Sequence, residues 1–333
     1  MHSKLDDVKA ELLNRAVEVA DHGPAGSRTA QHPDADELRA YLQRYYLYVS
    51  PEDLQGRDPV DLYGAALSHR RLAVHRPQGT ANVRVHTPTV EEVGWTCSHT
   101  VVEVVTDDMP FLVDSVTNEI SRQDRGIHIV IHPQMIVRRD VTGKLLEVLD
   151  AGRDPFGARA HTHEPEELPG DAVIESWIHV EVDRETDHED LRRIEADLRR
   201  VLNDVRESVE DWRKMRERAL AVADELTVPP VLVTDTGTDG ATGGEVTPPA
   251  EEEVRAPADG TGDEAEAERR RRVLEVEEAR ELLRWLAADH FTFLGYREYR
   301  LVREDNGGEG DVLTAVPGTG LGILRSDPTH TLP

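Results

Sequence analysis

The sequence predicts an α+β protein built as a helical N-terminal block, a sheet with helices packed on it, a long helix, an acidic linker and the start of a further α/β module. Three observations carry that reading. Apolar residues recur at helical spacing through roughly the first 75 residues. From Ala81 the pattern changes to alternation and short apolar runs, which reads as strands. Between Pro229 and Glu268 the pattern lapses into Gly, Pro, Thr, Asp and Glu. The corresponding blocks are residues 1–78, 79–226, 227–268 and 269–333.

The elements follow in order. Leu5, Val8, Leu12, Leu13, Ala16, Val17 and Ala20 make one helical stripe, which His22-Gly23-Pro24 ends. Asp34 and Asp36 open a second helix, with Leu38, Tyr41, Leu42, Tyr45 and Tyr46 on its apolar side. The tyrosines, Tyr48 included, are expected to be helix-packing surface. Ser50-Pro51-Glu52-Asp53 supplies a cap, a proline at the first helical position and two acids at the positive helix end. Asp58-Pro59 repeats the signal ahead of Leu62, Ala66 and Leu67. Val83 and Val85 mark a strand, and Thr100 to Val105 a second. Phe111 to Ile120 has helical spacing up to Gly126. Ile127 to Val137 reads as one long strand, turned by Arg139 to Gly143 into a partner at Leu145 to Leu149. A histidine-bearing loop from Ala151 to Asp171 precedes a strand at Ala172 to Val182.

Asp187 to Glu225 is the longest periodic segment, with Leu191, Ile194, Leu198, Val201, Val205, Val209, Trp212 and Met215 in steps of three and four. As one helix it would span roughly 55 to 60 Å at about 1.5 Å per residue; a break into two helices is the alternative. The stretch from Pro229 to Glu268 has too few large apolar residues to offset the entropy of ordering it and is expected to be a disordered linker. The basic run Arg269 to Arg272 reads as a solvated helix start. A helix at Val273 to Ala288, a strand at His290 to Tyr299 and a turn at Gly318 to Gly322 complete the chain, whose end looks like a truncation.

Composition limits the partners. The 333 residues carry a formal charge of −27 at pH 7, which repels nucleic acid and anionic membranes. Aromatic content is 5%, low for a chain packed uniformly. No apolar run is long enough to cross a membrane and no signal pattern opens the chain, so the expectation is a cytoplasmic protein. A single cysteine excludes a disulfide framework within the chain; Cys97 is expected to be a small buried residue on a strand.

Few local motifs carry chemistry. Gly318-x-Gly320-x-Gly322 lacks the glycine spacing of a dinucleotide loop and reads as a tight turn. His161, His163 and Glu164 could reach one metal ion, but they sit in a loop without a fourth ligand nearby. His128 and His132 lie too far apart along a strand for a shared ion and read as ordinary, partly exposed side chains. No catalytic, cofactor-binding or metal residue is assigned from sequence.

The order of elements from Cys97 to Glu207 is strand, helix, strand, strand, strand, helix. It resembles the ferredoxin-like ACT module, a small-molecule sensor that often binds amino acids. The turn Asp108-Met109-Pro110-Phe111-Leu112 matches the ACT turn Asp-x-Pro-Gly-Leu except that Phe111 replaces the glycine. It is the candidate effector site, and a ring at 111 is expected to fill or cover the pocket. The pair Val137 to Leu149 is extra to the minimal module. Longer stretches go further. Thr106 to Val116, His132-Pro133 to Asp140, Glu175 to Glu181, Trp285 to Arg297 and Gly320 to Arg325 resemble, in order, the N-terminal region of the large bacterial NAD-dependent glutamate dehydrogenases. That resemblance implies a longer enzyme oxidising L-glutamate to 2-oxoglutarate and ammonia with NAD. In it this stretch would be a regulatory or architectural portion that binds no cofactor itself and contacts other domains and, in a homo-oligomer, other copies. The alternative is a stand-alone ACT-like module that senses an amino acid or binds a partner.

Overall fold

The computed structural model describes residues 4–22, 35–149, 170–227, 261–303, 311–326 and 331–332. The expected loop from Ala151 and most of the acidic linker lie outside them. The chain divides into two compact units, Met1–Val209 and Glu210–Pro333.

The first unit begins with helices α1 (Lys4–His22), α2 (Ala35–Tyr45), α3 (Pro51–Leu54) and α4 (Pro59–Leu72). Their starts are set locally. Ser50 Oγ accepts from the Glu52 N–H at 3.4 Å, and Asp58 Oδ1 from the Val60 N–H at 2.9 Å. A proline stands at the first helical position after each, where no N–H is needed. Strands β1 (Asn82–His86), β2 (Thr100–Asp107), β3 (Ile127–Ile131), β4 (Gln134–Arg139), β5 (Leu145–Val148) and β6 (Ala172–Val182) form one antiparallel sheet. Helices α5 (Val90–Val93), α6 (Leu112–Arg122) and α7 (His188–Glu225) connect or follow them. The strand order is β1-β2-β6-β4-β5, with β3 also on β6.

The expected single strand from Ile127 to Val137 is two. His132-Pro133 interrupts it, since proline has no N–H to give to a ladder. Both pieces pair with β6, Val130 opposite Val180 and Ile136 opposite Ile174, and the Trp177 N–H donates to Pro133 O across the break at 3.1 Å. The hairpin from β4 to β5 forms as expected, with Asp140 Oδ1 accepting from the Thr142 and Lys144 N–H groups and Gly143 at φ +91°. In a strand–helix–strand–strand–helix–strand module the last strand joins the sheet beside the first. Here β1, which precedes the module, takes that place, with Val83 opposite Val104 and Val85 opposite Val102. Its outer edge is not bare: Arg199 of α7 donates to Ala81 O at 3.3 Å and Val83 O at 2.8 Å.

Both faces of the sheet are covered. On one, Val102, Val104, Ile178, Val180 and Val182 meet Val116 and Ile120 of α6 and Leu191, Ile194 and Leu198 of α7. On the other, Val105, Ile131, Met135 and Trp177 share a core with Leu42, Tyr45, Tyr46 and Leu62 of the helical block. Tyr41, Tyr45 and Tyr46 are buried there, whereas Tyr48 is 58% exposed.

The face toward the helical block is also charged. Side chains alternate along a strand, so Glu103 of β2 and Glu175, His179 and Glu181 of β6 all turn under the helices, and all are buried. Each carboxylate is met by arginine. Arg84 Nε lies 2.7 Å from Glu103 Oε2. Arg76 Nη2 and Arg139 Nε reach Glu175 Oε1 at 2.6 and 2.5 Å. Arg57 grips both oxygens of Glu181 at 2.5 and 3.0 Å. Arg76 and Arg206 also share Asp107, at 2.7 and 2.8 Å. His69 is neutral by its bonding: one ring nitrogen meets Val104 O at 3.0 Å as donor, the other accepts from the Tyr45 hydroxyl at 2.9 Å. Burial pushes its pKa down to about 4.

The second unit holds the C-terminal part of α7, which runs unbroken through 38 residues. It also contains α8 (Thr261–Trp285) and a π turn at Leu286–His290. Two small sheets follow, β7 (Gly295–Tyr296) with β10 (Leu321–Gly322), and β8 (Tyr299–Arg303), β9 (Asp311–Ala315) and β11 (Thr331–Leu332). Helix α8 begins at Thr261 instead of Val273, so the expected linker ends earlier. Pairs four residues apart, Glu266–Arg270 at 3.1 Å and Glu268–Arg272 at 2.9 Å, support those early turns. The expected strand at His290 to Tyr299 pairs first at Gly295. Before it, Asp289 sits at φ +64° and the His290 ring stacks on Trp285 at 4.7 Å, a helix ending in place of a strand. Gly318 to Gly322 is a turn, as expected; Gly322 is at φ +59°, and a side chain there would meet Leu294 O.

Replacing Arg84 with alanine leaves Glu103 buried beside a histidine 3.6 Å away. The expected loss is about 3 kcal/mol, read from urea unfolding. The same buried groups set an acid response. The unfolded His69 takes up a proton near pH 6.5 that the folded one refuses until about 4, so stability falls across that window. Burial alone would raise the Glu103 pKa, but His86, His69 and Arg84 hold it at about 2, against 4.5 unfolded. A second loss therefore follows between pH 4.5 and about 2. A urea midpoint that stays flat from pH 6.5 to 4 would contradict the first assignment.

Candidate functional site

The turn singled out by sequence joins β2 to α6. It is a structural joint more than an open loop. The Asp108 N–H donates to Ile174 O at 3.1 Å, and its carboxylate accepts from the Ser176 hydroxyl at 2.5 Å and the Gln134 amide at 3.2 Å. Met109 is half-buried against the core under α6 and α7, Pro110 is exposed, and Leu112 is buried in that core. Phe111 has φ +70°, the left-handed conformation that a glycine would adopt freely. An aromatic residue there is a strained outlier. Phe111 is 41% exposed.

A different place gathers more chemistry. A cleft of about 390 Å³ opens where the loop before β2 meets the start of α4 and the C-terminal end of β6. Cys97, His99 and Glu181 line it, with Arg57, Trp95 and His179. The expectation for Cys97 is corrected: it lies in the loop between α5 and β2, half-buried, and not on a strand in the core. Burial, reinforced by the Glu181 charge, pushes its thiol up to about 11. His99 Nδ1 is 3.1 Å from Glu181 Oε2. Its ring stacks on that of His128 with centroids 3.9 Å apart. His128 is placed by an irregularity in the β3–β6 pairing between Ile127 and Ile129 and is held by Asp183 at 2.9 Å. Glu181 would be driven toward protonation by burial, but His179 and Arg57 hold its carboxyl well below the usual range.

The other histidines divide. His132 is half-buried with Nε2 3.0 Å from the Ser176 hydroxyl, in agreement with a partly exposed role apart from His128. His161, His163 and Glu164 lie outside the described residues. The cleft had one faint sequence signal, Cys97-x-His99. Its third member, Glu181, is brought in only by strand pairing, Val101 opposite Glu181.

The chain is similar in sequence to known proteins. The family described as glutamate dehydrogenase, ACT1 domain, matches residues 41–198, which take in α3, α4, the sheet and the first part of α7. The NAD-specific glutamate dehydrogenase of Halomonas elongata is 35% identical over 330 residues, 98% of this chain and 17% of that protein. The chain carries the glutamate dehydrogenase ACT1 domain. The Pseudomonas aeruginosa NAD-specific glutamate dehydrogenase is 30% identical over 272 residues, 82% of this chain and 14% of its own length. The chain thus spans less than a fifth of the dehydrogenases it matches. The turn at 108–112 lies within the matched residues.

Glycine at 111 should relieve the left-handed strain. Phe111→Gly is expected to raise stability by about 1 kcal/mol, seen as a higher thermal midpoint. A lower midpoint would mean that ring contacts outweigh the backbone relief.

Proposed function

We propose that this chain serves as the N-terminal regulatory and architectural portion of a large NAD-specific glutamate dehydrogenase. The whole enzyme would oxidise L-glutamate to 2-oxoglutarate and ammonia while reducing NAD, with the reacting groups and the NAD site in other parts of it. The observation that carries this reading is the match of 98% of the chain to only 17% of such an enzyme. Exposed apolar side chains in the second unit, Leu274, Leu282, Trp285, Phe291 and Leu294, support it, because further domains or other copies in a homo-oligomer would cover them. In this reading residues 1–78 and 79–226 form the ACT-bearing part, and the acidic stretch from 227 links it to a second α/β module that α8 opens. A cytoplasmic place fits; among the described residues no helix is long and apolar enough to cross a membrane.

Amino-acid sensing at Asp108 to Leu112 is the second reading, favoured by the preserved left-handed turn. The carboxylate of Asp108 is already engaged by Ser176 and Gln134. Calorimetry of the chain with amino acids is therefore expected to show no tight binding. Heat that vanishes when the turn is altered would favour the sensor.

The purified chain is expected to give no glutamate-dependent NADH, and an antibody against residues 81–225 should mark a band several times heavier than 37.2 kDa in source-cell lysate. Turnover by the pure chain, or a band at 37.2 kDa, would overturn the proposal.

A further inference from the structure

The donor atoms of Cys97, His99 and Glu181 converge on one point. Sγ, a ring nitrogen and a carboxylate oxygen all lie within 4.8 Å of one another on the wall of the cleft. The geometry has a simple origin. Cys97 and His99 flank a bend just before β2, which is drawn tight enough for the His99 N–H to reach Cys97 Sγ at 3.4 Å. The β2–β6 register brings Glu181 beside that bend. A zinc-type ion holds its ligand atoms at about 2.0–2.3 Å, so side-chain shifts on the order of 1 Å would close the set around it.

A second observation points to a missing ligand. His179 is fully buried and lines the same cleft, yet neither ring nitrogen has a hydrogen-bond partner. Its Nε2 stands 3.7 Å from Glu181 Oε1, beyond hydrogen-bonding distance. A buried imidazole whose nearest acid is this long contact to Glu181 lacks a full hydrogen bond, and a group bound in the cleft would supply one. His128 adds a third feature, since its stack on His99 and its bond to Asp183 hold the imidazole in one orientation. Metal-ligating histidines are commonly steadied by such neighbours.

We propose that Cys97, His99 and Glu181 bind a transition-metal cation of the zinc class, with a fourth position open to the cleft beside His179. The donor chemistry selects the class. Thiolate and imidazole suit zinc, whereas magnesium and calcium demand oxygen ligands. Three protein ligands with an open position leave room for a water or small ligand, which His179 can meet with a hydrogen bond. The Cys97 thiol gives its proton to solvent as the sulfur binds. Arg57, already on both oxygens of Glu181, keeps that carboxylate ionised and aimed.

The sequence makes the test clean, because Cys97 is the single cysteine. A thiolate-to-cobalt absorption band can arise only there. Cobalt(II) added to the full chain is expected to saturate such a band at one equivalent, and zinc to displace it. Cys97→Ser and His99→Ala, with unchanged far-ultraviolet circular dichroism, should abolish the band, and His128→Ala should weaken cobalt binding about tenfold or more. Should either ligand variant lose its fold, zinc is expected to slow alkylation of Cys97 in the unaltered chain at least about tenfold. No thiolate band, a band undiminished in His99→Ala, or alkylation indifferent to zinc would each overturn the site. Cobalt bound without the band would mean adventitious binding to the acidic surface only.

Discussion

Carboxylates buried in the middle of a sheet need partners, and this requirement organises the first unit. Glu103 and Glu175 are fully buried and Glu181 nearly so. Such charges are tolerated only when neutralised at short range, and removing a partner costs several kcal/mol. The arginines come from segments distant in sequence. Arg57 lies between α3 and α4, Arg76 follows α4, Arg84 is on β1 and Arg139 on β4. The sheet face therefore becomes acceptable as an interior only when those segments have arrived. Helical block and sheet are bound by a mutual condition: neither presents a finished surface alone. The aromatic ring of Trp177, packed on His69 and Tyr41 within that layer, fills the space between the ion pairs.

Local grammar was easy to read and distant pairing was not. Ser50-Pro51 and Asp58-Pro59 announced α3 and α4 because capping is settled within three residues. The stripe from Leu191 to Met215 announced α7 because helical periodicity is a property of neighbours. By contrast Glu175, His179 and Glu181 look like the solvent side of a strand, and nothing local says that helices will bury them. The break at His132-Pro133 was hidden by a continuous apolar run on either side. The end of the π turn was hidden too, since a left-handed Asp289 is not a residue that a strand-like string advertises. Helix α8 starts early for a reason that is local but easily outweighed in reading, the Glu–Arg pairs four apart within an otherwise acidic stretch.

The candidate sites divide in the same way. The turn at Asp108 to Leu112 could be found from its string, and what could not be read was that Ser176 and Gln134 already occupy its acid. The cleft at Cys97 could not be found, because its members come together through a register. Cys97 and His99 offered a hint of two residues, and Glu181 appeared only as one more charge on β6. The glutamate dehydrogenase resemblance located the domain without indicating either arrangement, since it names a family and not a constellation of side chains.

Arg199 gives the sheet a direction. Small antiparallel sheets commonly join end to end, the outer strand of one accepting the outer strand of the next. At β1 the outward carbonyls of Ala81 and Val83 are already occupied by a guanidinium carried on α7. A strand arriving there would have to expel a bound cation before making its first backbone bond. The start of β1 is thus guarded, and a strand from another copy would have to displace Arg199 before annealing along that stretch.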